Sequence, residues 1–257
     1  MEESINNIAI IQARMSSSRL PGKVLMPLAD YPVLHHVYER VKKSKFIDKI
    51  IIATSIDNSD DPISEWCKAR NIDFFRGSLT DVLDRFYQVA KLYKAKNILR
   101  ITADCPVLDY KIIDEVILEY NNGDYDYYGL KGQFPDGLDC TMISYFALKS
   151  AWENSILSSE REHVGPYIEK HPELFKLGGL EKFTDLGHFR WTLDEAKDYE
   201  LLNYIFNALY QKDNFFTHEL ILELYKQNVD LMKINQNILR NEGYQKSIKN
   251  ENINIYE

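Results

Sequence analysis

The chain has 257 residues, enough for one large domain or two small ones with a core that needs no disulfide or metal staple. Its 45% hydrophobic and 27% charged residues are ordinary for a soluble globular protein. Acidic residues outnumber basic ones, 39 to 31, and the formal charge of −8 speaks against a nucleic-acid partner. Cys67, Cys105 and Cys140 are widely spaced with no CxxC, so reduced thiols are expected. Residues 1–12 lack a basic start and carry too short an apolar run for a signal peptide. No apolar run approaches the ~20 residues of a membrane span. The reading is a soluble, cytoplasmic protein with no membrane partner.

The elements are expected in the following order. Residues 7–12, NIAIIQ, form a first buried strand, followed by a looser segment to Leu28. Apolar positions at helical spacing predict a helix over 32–44. KIIIAT, 49–54, is a second strand, and 60–70 a helix that tolerates Pro62 in its first turn. IDFF, 72–75, is a third strand, and Thr80 precedes an amphipathic helix over 81–93. NILRI, 97–101, is another strand, and a helix runs from Asp109 to Tyr120. Continuous β-branched strands alternating with helices predict an α/β protein with a mostly parallel sheet covered on both faces.

The middle is rich in glycine and tyrosine and holds a strand-like CTMIS at 140–144. Helices are expected at 144–154 and 160–170, a late strand at 188–194 (HFRWTLD), and helices at 195–211 and 217–227. The polar, Asn-rich segment 228–257 is expected to fray or to dock on a partner subunit, leaving 1–227 as a single domain.

The loop IIQARMSSSRLPGKVL, 10–25, crowds three cations and three hydroxyls behind the first strand. In a parallel α/β sheet, ligands bind beyond the carboxyl ends of strands. Arg14, Arg19 and Lys23, with the backbone around Ser16, Ser17 and Ser18, suit a polyphosphate. Neither GxxxxGK[ST] nor GxGxxG is present, and on composition alone a solvated cationic loop is an equal alternative.

QARMSSSRLPGKVL resembles the signature loop of the cytidylyltransferases that make CMP-activated acidic sugars, of the spore-coat polysaccharide type and the 3-deoxy-manno-octulosonate (Kdo) type. TDVLDRF, RITADCPVLD, PDGLDC, SEREHVGPYI and RWTLD follow in the family's order over about residues 8–200. The resemblance implies a Rossmann-like nucleotide-diphospho-sugar transferase fold, with a mostly parallel mixed sheet. It implies that Arg14, Ser17, Arg19 and Lys23 hold the triphosphate of CTP. Ser16 stands where the family usually has glycine, and Glu195-Ala196 where it often has Thr-Pro.

Asp104 and Asp194 each follow an expected strand. Two carboxylates from separate strand ends suit Mg²⁺ on phosphate oxygens, although each is equally a turn or cap aspartate. By resemblance they match the family's two metal-binding aspartates. Arg76, Gly77 and Asp81 are candidates around the base. Arg85 reaches the nucleotide or braces the loop, and the alternative is that Asp81, Asp84 and Arg85 are ordinary first-turn helix charges. Asp136 and Asp139 in PDGLD are acceptor candidates on what is also a strong turn signal.

Arg161 and His163 are further acceptor candidates, and His163, at helical spacing from Tyr167, is alternatively a packed histidine. Arg190 pairs either with a substrate carboxylate or with an acidic side chain of the protein. His35 and His36 read as structural, and Cys105 as a buried small hydrophobe rather than a nucleophile.

The expected reaction is CTP plus an acidic sugar, Kdo- or nonulosonate-like, giving CMP-sugar and pyrophosphate for surface polysaccharide synthesis. Arg14, Lys23 and Asp104 are its catalytic candidates: the cations stabilise the departing pyrophosphate, and Asp104 acts through the metal on the attacking hydroxyl. The alternatives are a sugar 1-phosphate or other phosphorylated acceptor, and a nucleotide-binding or assembly protein without catalysis. A homodimer through the Tyr-rich middle segment is the assembly suggested by analogy.

Overall fold

The structure, a computed structural model, describes residues 5–254. Its sheet strands are β1 (Asn7–Gln12), β4 (Lys49–Ser55), β5 (Phe74–Gly77), β6 (Asn97–Thr102), β7 (Tyr127–Lys131), β8 (Thr141–Ser144) and β9 (Leu177–Glu181), and β2 (Pro27–Leu28) with β3 (Tyr31–Pro32) forms a small separate hairpin. The helices are α1 (Val33–Lys42), α2 (Asp61–Ala69), α3 (Val82–Leu92), α4 (Tyr110–Asn122), α5 (Tyr145–Asn154), α6 (Ser158–His163), α7 (Pro166–Lys170), α8 (Ala196–Leu209), α9 (His218–Gln227) and α10 (Glu242–Asn254).

The seven strands run in the order β5-β4-β1-β6-β8-β7-β9. β5, β4, β1 and β6 are mutually parallel, and β8 is antiparallel to both of its neighbours. This is the mostly parallel mixed sheet of a Rossmann-like fold. β1 is central because its residues suit burial on both faces. Ile8 and Ile10 pack into the layer of α3 and α5, and Ala9 and Ile11 into the layer of α1, α2, α4, α8 and α9. All four are fully buried, and each such isoleucine contributes roughly 1.5–3 kcal/mol.

Helix starts follow local chemistry. Asp81 accepts from the Asp84 N–H at 2.8 Å, Asp109 from that of Lys111 at 2.9 Å, and Ser144 from that of Ala147 at 3.0 Å. No helix among the described residues is long and apolar enough to cross a membrane.

The structure corrects four expectations. The helix expected over 160–170 is broken into α6 and α7, because Pro166 cannot continue the ladder and Val164 takes a left-handed turn (φ 69°). The segment 188–194 is no ladder strand. Only Arg190 bridges to Asp136, and the segment is pinned by single bonds such as Leu193 N–H to the Asp104 carbonyl at 2.8 Å. β7 and β9 are absent from the expected order, because their glycines hide the apolar alternation. A Cβ on Gly178 would lie 2.4 Å from the Tyr128 ring, so glycine is the residue that admits the tyrosines.

Finally, the segment from Asn228 docks on its own chain. Asn235 is buried and donates to the Arg190 carbonyl (3.0 Å) and to Asp198 (2.9 Å), and Arg240 donates to the Phe134 carbonyl (2.8 Å).

His36 is structural, as expected. It is buried beneath Phe206 and bonds the Leu28 carbonyl at 2.8 Å. Burial drives its pKa down to about 4, against an ordinary 6.5. The unfolded chain therefore binds more protons between those values, and this contribution, on the order of 3 kcal/mol, is lost as pH falls from about 6.5 towards 4. Melting temperatures from pH 7 to pH 4.5 are expected to fall less steeply in His36→Gln than in the wild type. Equal slopes would contradict the assignment.

Candidate active site

The chain leaves β1 towards β4 and β5 on one side, and β6 lies on the other. The carboxyl ends of β1 and β6 thus form the point where the strand order reverses, which is where open α/β sheets bind ligands. A cleft of about 440 Å³ lies there, and Gln12 and Thr102, the last residues of those two strands, line it.

The loop after β1 is held rather than free. Met15 donates its N–H to Asp60 Oδ1 at 2.6 Å, and the Met15 carbonyl accepts from the N–H groups of Ser17 (2.9 Å) and Gly22 (2.8 Å). Gly22 turns with φ 74°, a conformation costly for other residues, and Lys23 folds back into the cleft. Asp60 is fully buried, and its other oxygen accepts from the Ser55 hydroxyl at 2.5 Å, so the end of β4 sets the loop. Within the acidic run DNSDDP, nothing in the sequence sets Asp60 apart from its neighbours.

Lys23 Nζ uses all three protons: to Asp104 Oδ2 at 2.7 Å, Asp194 Oδ1 at 2.8 Å and the Leu193 carbonyl at 2.7 Å. Burial opposes the charge on Lys23, but the two carboxylates outweigh it and raise the pKa. Burial likewise pushes Asp104 up, while the Lys23 ammonium and the Thr102 hydroxyl hold it at about 2. Two aspartates 90 residues apart in sequence thus meet across one ammonium. Arg190 Nη2 grips the second oxygen of Asp194 at 2.8 Å, and Arg19 approaches Asp194 Oδ1 at 2.8 Å.

Arg14 pairs with Glu162 at 3.2 Å at the mouth of the cleft. Arg85 is buried in its wall, donates to the Ala53 carbonyl at 3.1 Å, and keeps its Nε unpartnered; burial lowers its pKa to about 10. His163 meets Ser247 at 3.2 Å, and burial lowers its pKa. Cys105 is buried and burial pushes its thiol well above the usual range, so it is no nucleophile at neutral pH.

Arg14, Ser17, Arg19, Lys23, Arg85, Asp104, His163 and Asp194 therefore line one cleft. Seven other candidates do not. Arg76 ties β5 to the loop after β4, through the Ser55 carbonyl (2.7 Å), the Asp57 carbonyl (3.0 Å) and Asp61 (2.7 Å). Gly77 lies in β5 itself, where a Cβ would stand 2.7 Å from the Arg85 side chain; it makes room for that arginine. Asp81 caps α3 and pairs with Arg161 at 3.4 Å, so these two candidates hold each other. Asp136 is bound to Arg190 at 2.6 Å. Asp139 accepts from the Gly137 N–H at 3.1 Å and pairs with Arg240 at 3.6 Å. Arg190 is enclosed by Asp136, Asp194 and Asp198.

Arg100, Glu162, Lys246 and Ser247 also line the cleft and escaped the sequence reading. Arg100 lines the cleft from the middle of β6, and its side chain makes no hydrogen bond or ion pair among the described residues. An arginine within an otherwise apolar strand was the available signal.

A cationic loop and paired carboxylates at the switch point of such a sheet suit the phosphates of a nucleotide and a divalent cation. The cytidylyltransferase family model matches residues 8–248. The chain belongs to the cytidylyltransferase family, and it is a CTP-dependent nucleotidyltransferase. It is similar to the spore coat polysaccharide biosynthesis protein SpsF of Bacillus subtilis, 36% identical over 79% of this chain and 85% of that one. It is 31% identical to the 3-deoxy-manno-octulosonate cytidylyltransferase of Geobacter sulfurreducens over 44% of each chain. Among solved structures, a cytidylyltransferase from Leptospira borgpetersenii superposes with a TM-score of 0.83 at 32% identity, over 92% of this chain and 99% of that one.

Proposed function

We propose that the protein transfers CMP from CTP to a hydroxyl of an acidic sugar in the cytoplasm, for the synthesis of a surface polysaccharide. The observation that carries this reading is the meeting of Arg14, Arg19, Lys23, Asp104 and Asp194 in one cleft. The acceptor hydroxyl oxygen forms a bond to the α-phosphorus and gives up its proton to solvent, the bond from that phosphorus to the bridging oxygen breaks, and pyrophosphate leaves with the electron pair. Arg14 and Arg19 bind the β- and γ-phosphates, and Lys23, held by the two aspartates, adds its positive charge to stabilise the leaving group. Ser17 adds its hydroxyl to the cradle.

Asp104 and Asp194 offer hard carboxylate oxygens already gathered around a cation, the Lys23 ammonium, which fits a Mg²⁺ ion. Bound there, Mg²⁺ would neutralise charge on the phosphates of CTP. The Lys23 and Arg190 bonds hold the two carboxylates in place for it.

An acidic acceptor is supported by the charge of the cleft and by the kinship with a Kdo enzyme. Arg14, Arg85 and Arg100 face it, and Arg100 alone of the three has no hydrogen-bond or ion-pair partner among the described residues, which leaves it for the acceptor carboxylate.

Pyrophosphate release, assayed with each of four nucleoside triphosphates against Kdo, nonulosonates, smaller sugar acids and sugar 1-phosphates, tests the reading. Release is expected with CTP and an acidic sugar, and only with a divalent metal. Release with a sugar 1-phosphate alone would replace the acceptor class. CTP binding without release for any acceptor would replace the enzyme by a nucleotide-binding protein.

A further inference from the structure

Helix α10 lies across α6 and over the rim of the cleft. Ser247 donates its hydroxyl to Glu162 at 2.9 Å, and Glu251 accepts from the Ser159 N–H at 2.5 Å. These bonds set the register of α10 so that Lys246 lines the cleft.

One turn earlier, Glu242 places its carboxylate between two cations. Oε2 lies 2.9 Å from Arg19 Nη1, and Oε1 lies 2.7 Å from Lys246 Nζ. The i, i+4 spacing brings Glu242 and Lys246 to one face. Arginine accepts carboxylate and phosphate oxygens in the same fork geometry, so Glu242 occupies donor capacity that a triphosphate would use.

We propose that α10 is part of the nucleotide site: Glu242 competes with CTP for Arg19 and Lys246, and Lys246 is a fourth cation for the triphosphate. The proposal rests on the reading that Arg19 binds the phosphates of CTP. When the triphosphate takes Arg19, Glu242 loses that partner, and the added negative charge competes with it for Lys246 as well. Lys246 then turns to a phosphate oxygen. The carboxyl-terminal segment thereby sets how tightly the enzyme holds its first substrate.

Calorimetric titration of the full chain with CTP and MgCl₂ tests this, using the wild type, Glu242→Gln, Lys246→Met, Lys246→Arg and Arg19→Met. Glu242→Gln is expected to bind CTP about 3- to 10-fold more tightly, and Lys246→Met about 10-fold more weakly, each up to one tenfold step in Kd. Lys246→Arg is expected to restore affinity to within about 3-fold, since it keeps the charge. The opposite signs separate competition from a plain helix-surface pair, in which losing either partner acts through the helix and shifts affinity the same way. Shifts of the same sign, or none in Glu242→Gln and Lys246→Met while Arg19→Met weakens binding, would overturn the proposal alone. Unchanged affinity in Arg19→Met would instead remove the phosphate assignment on which it rests.

Discussion

Asp104→Asn is expected to lower the rate of pyrophosphate release by at least about 10³-fold, while CTP affinity changes by no more than about 3-fold. A thousandfold loss corresponds to roughly 4 kcal/mol of transition-state stabilisation, the scale on which charge aimed at a reacting phosphate acts. The substitution is nearly isosteric. The amide oxygen of the replacement side chain can still accept from Lys23 Nζ, so the loop after β1 keeps its anchor. What is lost is one of the two negative charges that make the site a cation site. Asp104 meets only Lys23 among the loop cations, so Arg14 and Arg19 keep their places, and the hold on the triphosphate proposed for them is expected to persist.

Asp194→Asn is a useful contrast. Its carboxylate also accepts from Arg19 and Arg190, so CTP affinity and turnover are expected to change together. Steady-state pyrophosphate release and equilibrium CTP titration on the same preparations make the comparison. An Asp104→Asn enzyme retaining a tenth or more of wild-type turnover would remove Asp104 from the catalytic account.

Arg190→Leu is expected to destabilise the protein by about 3–5 kcal/mol, the cost of stripping the partner from buried ions. In a chain of this length that lowers the melting temperature by on the order of 10 °C. Arg190 is 7% exposed and its guanidinium reaches three carboxylates: Asp198 at 2.9 and 3.0 Å, Asp136 at 2.6 Å and Asp194 at 2.8 Å. Burial opposes its charge, yet these acids raise its pKa. Asp198 is fully buried and also accepts from the N–H groups of Asp194 and Glu195, so the network holds Asp194 at the cleft.

Arg190→Lys should recover little, because a single ammonium cannot reproduce a planar fork facing three acids. Thermal melting decides between two roles. An unchanged melting temperature with a raised acceptor KM would restore the substrate-carboxylate role that the sequence left open. A large loss of stability makes Arg190 the brace of the site.

Local chemistry made much of this molecule legible without coordinates. NIAIIQ and KIIIAT read as buried parallel strands because β-branched runs leave no polar face. Asp81 and Asp109 mark helix starts through their capping chemistry. The loop from Arg14 to Lys23 stood out because charge concentrated behind a buried strand is locally anomalous.

Pairings between distant positions were not legible in the same way. Arg190 could have faced a substrate or an acid, and only the packing of 190–198 against the PDGLD turn chose the acid. Asp81 and Arg161, 80 residues apart, each looked available until α3 and α6 were seen to bring them together. Strands β7 and β9 hid because their glycines break the apolar alternation, and Gly178 answers to the Tyr128 and Tyr125 rings rather than to its own neighbours.

The sequence by itself thus determined the order of the central elements and the cationic loop, and it offered Asp104 and Asp194 as candidates, because each is written in residues adjacent along the chain. The tertiary structure alone decided that Lys23 joins those aspartates, that Arg100 is left without a partner among the described residues and that α10 closes over the rim. Those outcomes depend on which side chains reach one another across the sheet edge, and that is set by strand order and helix packing rather than by local spacing.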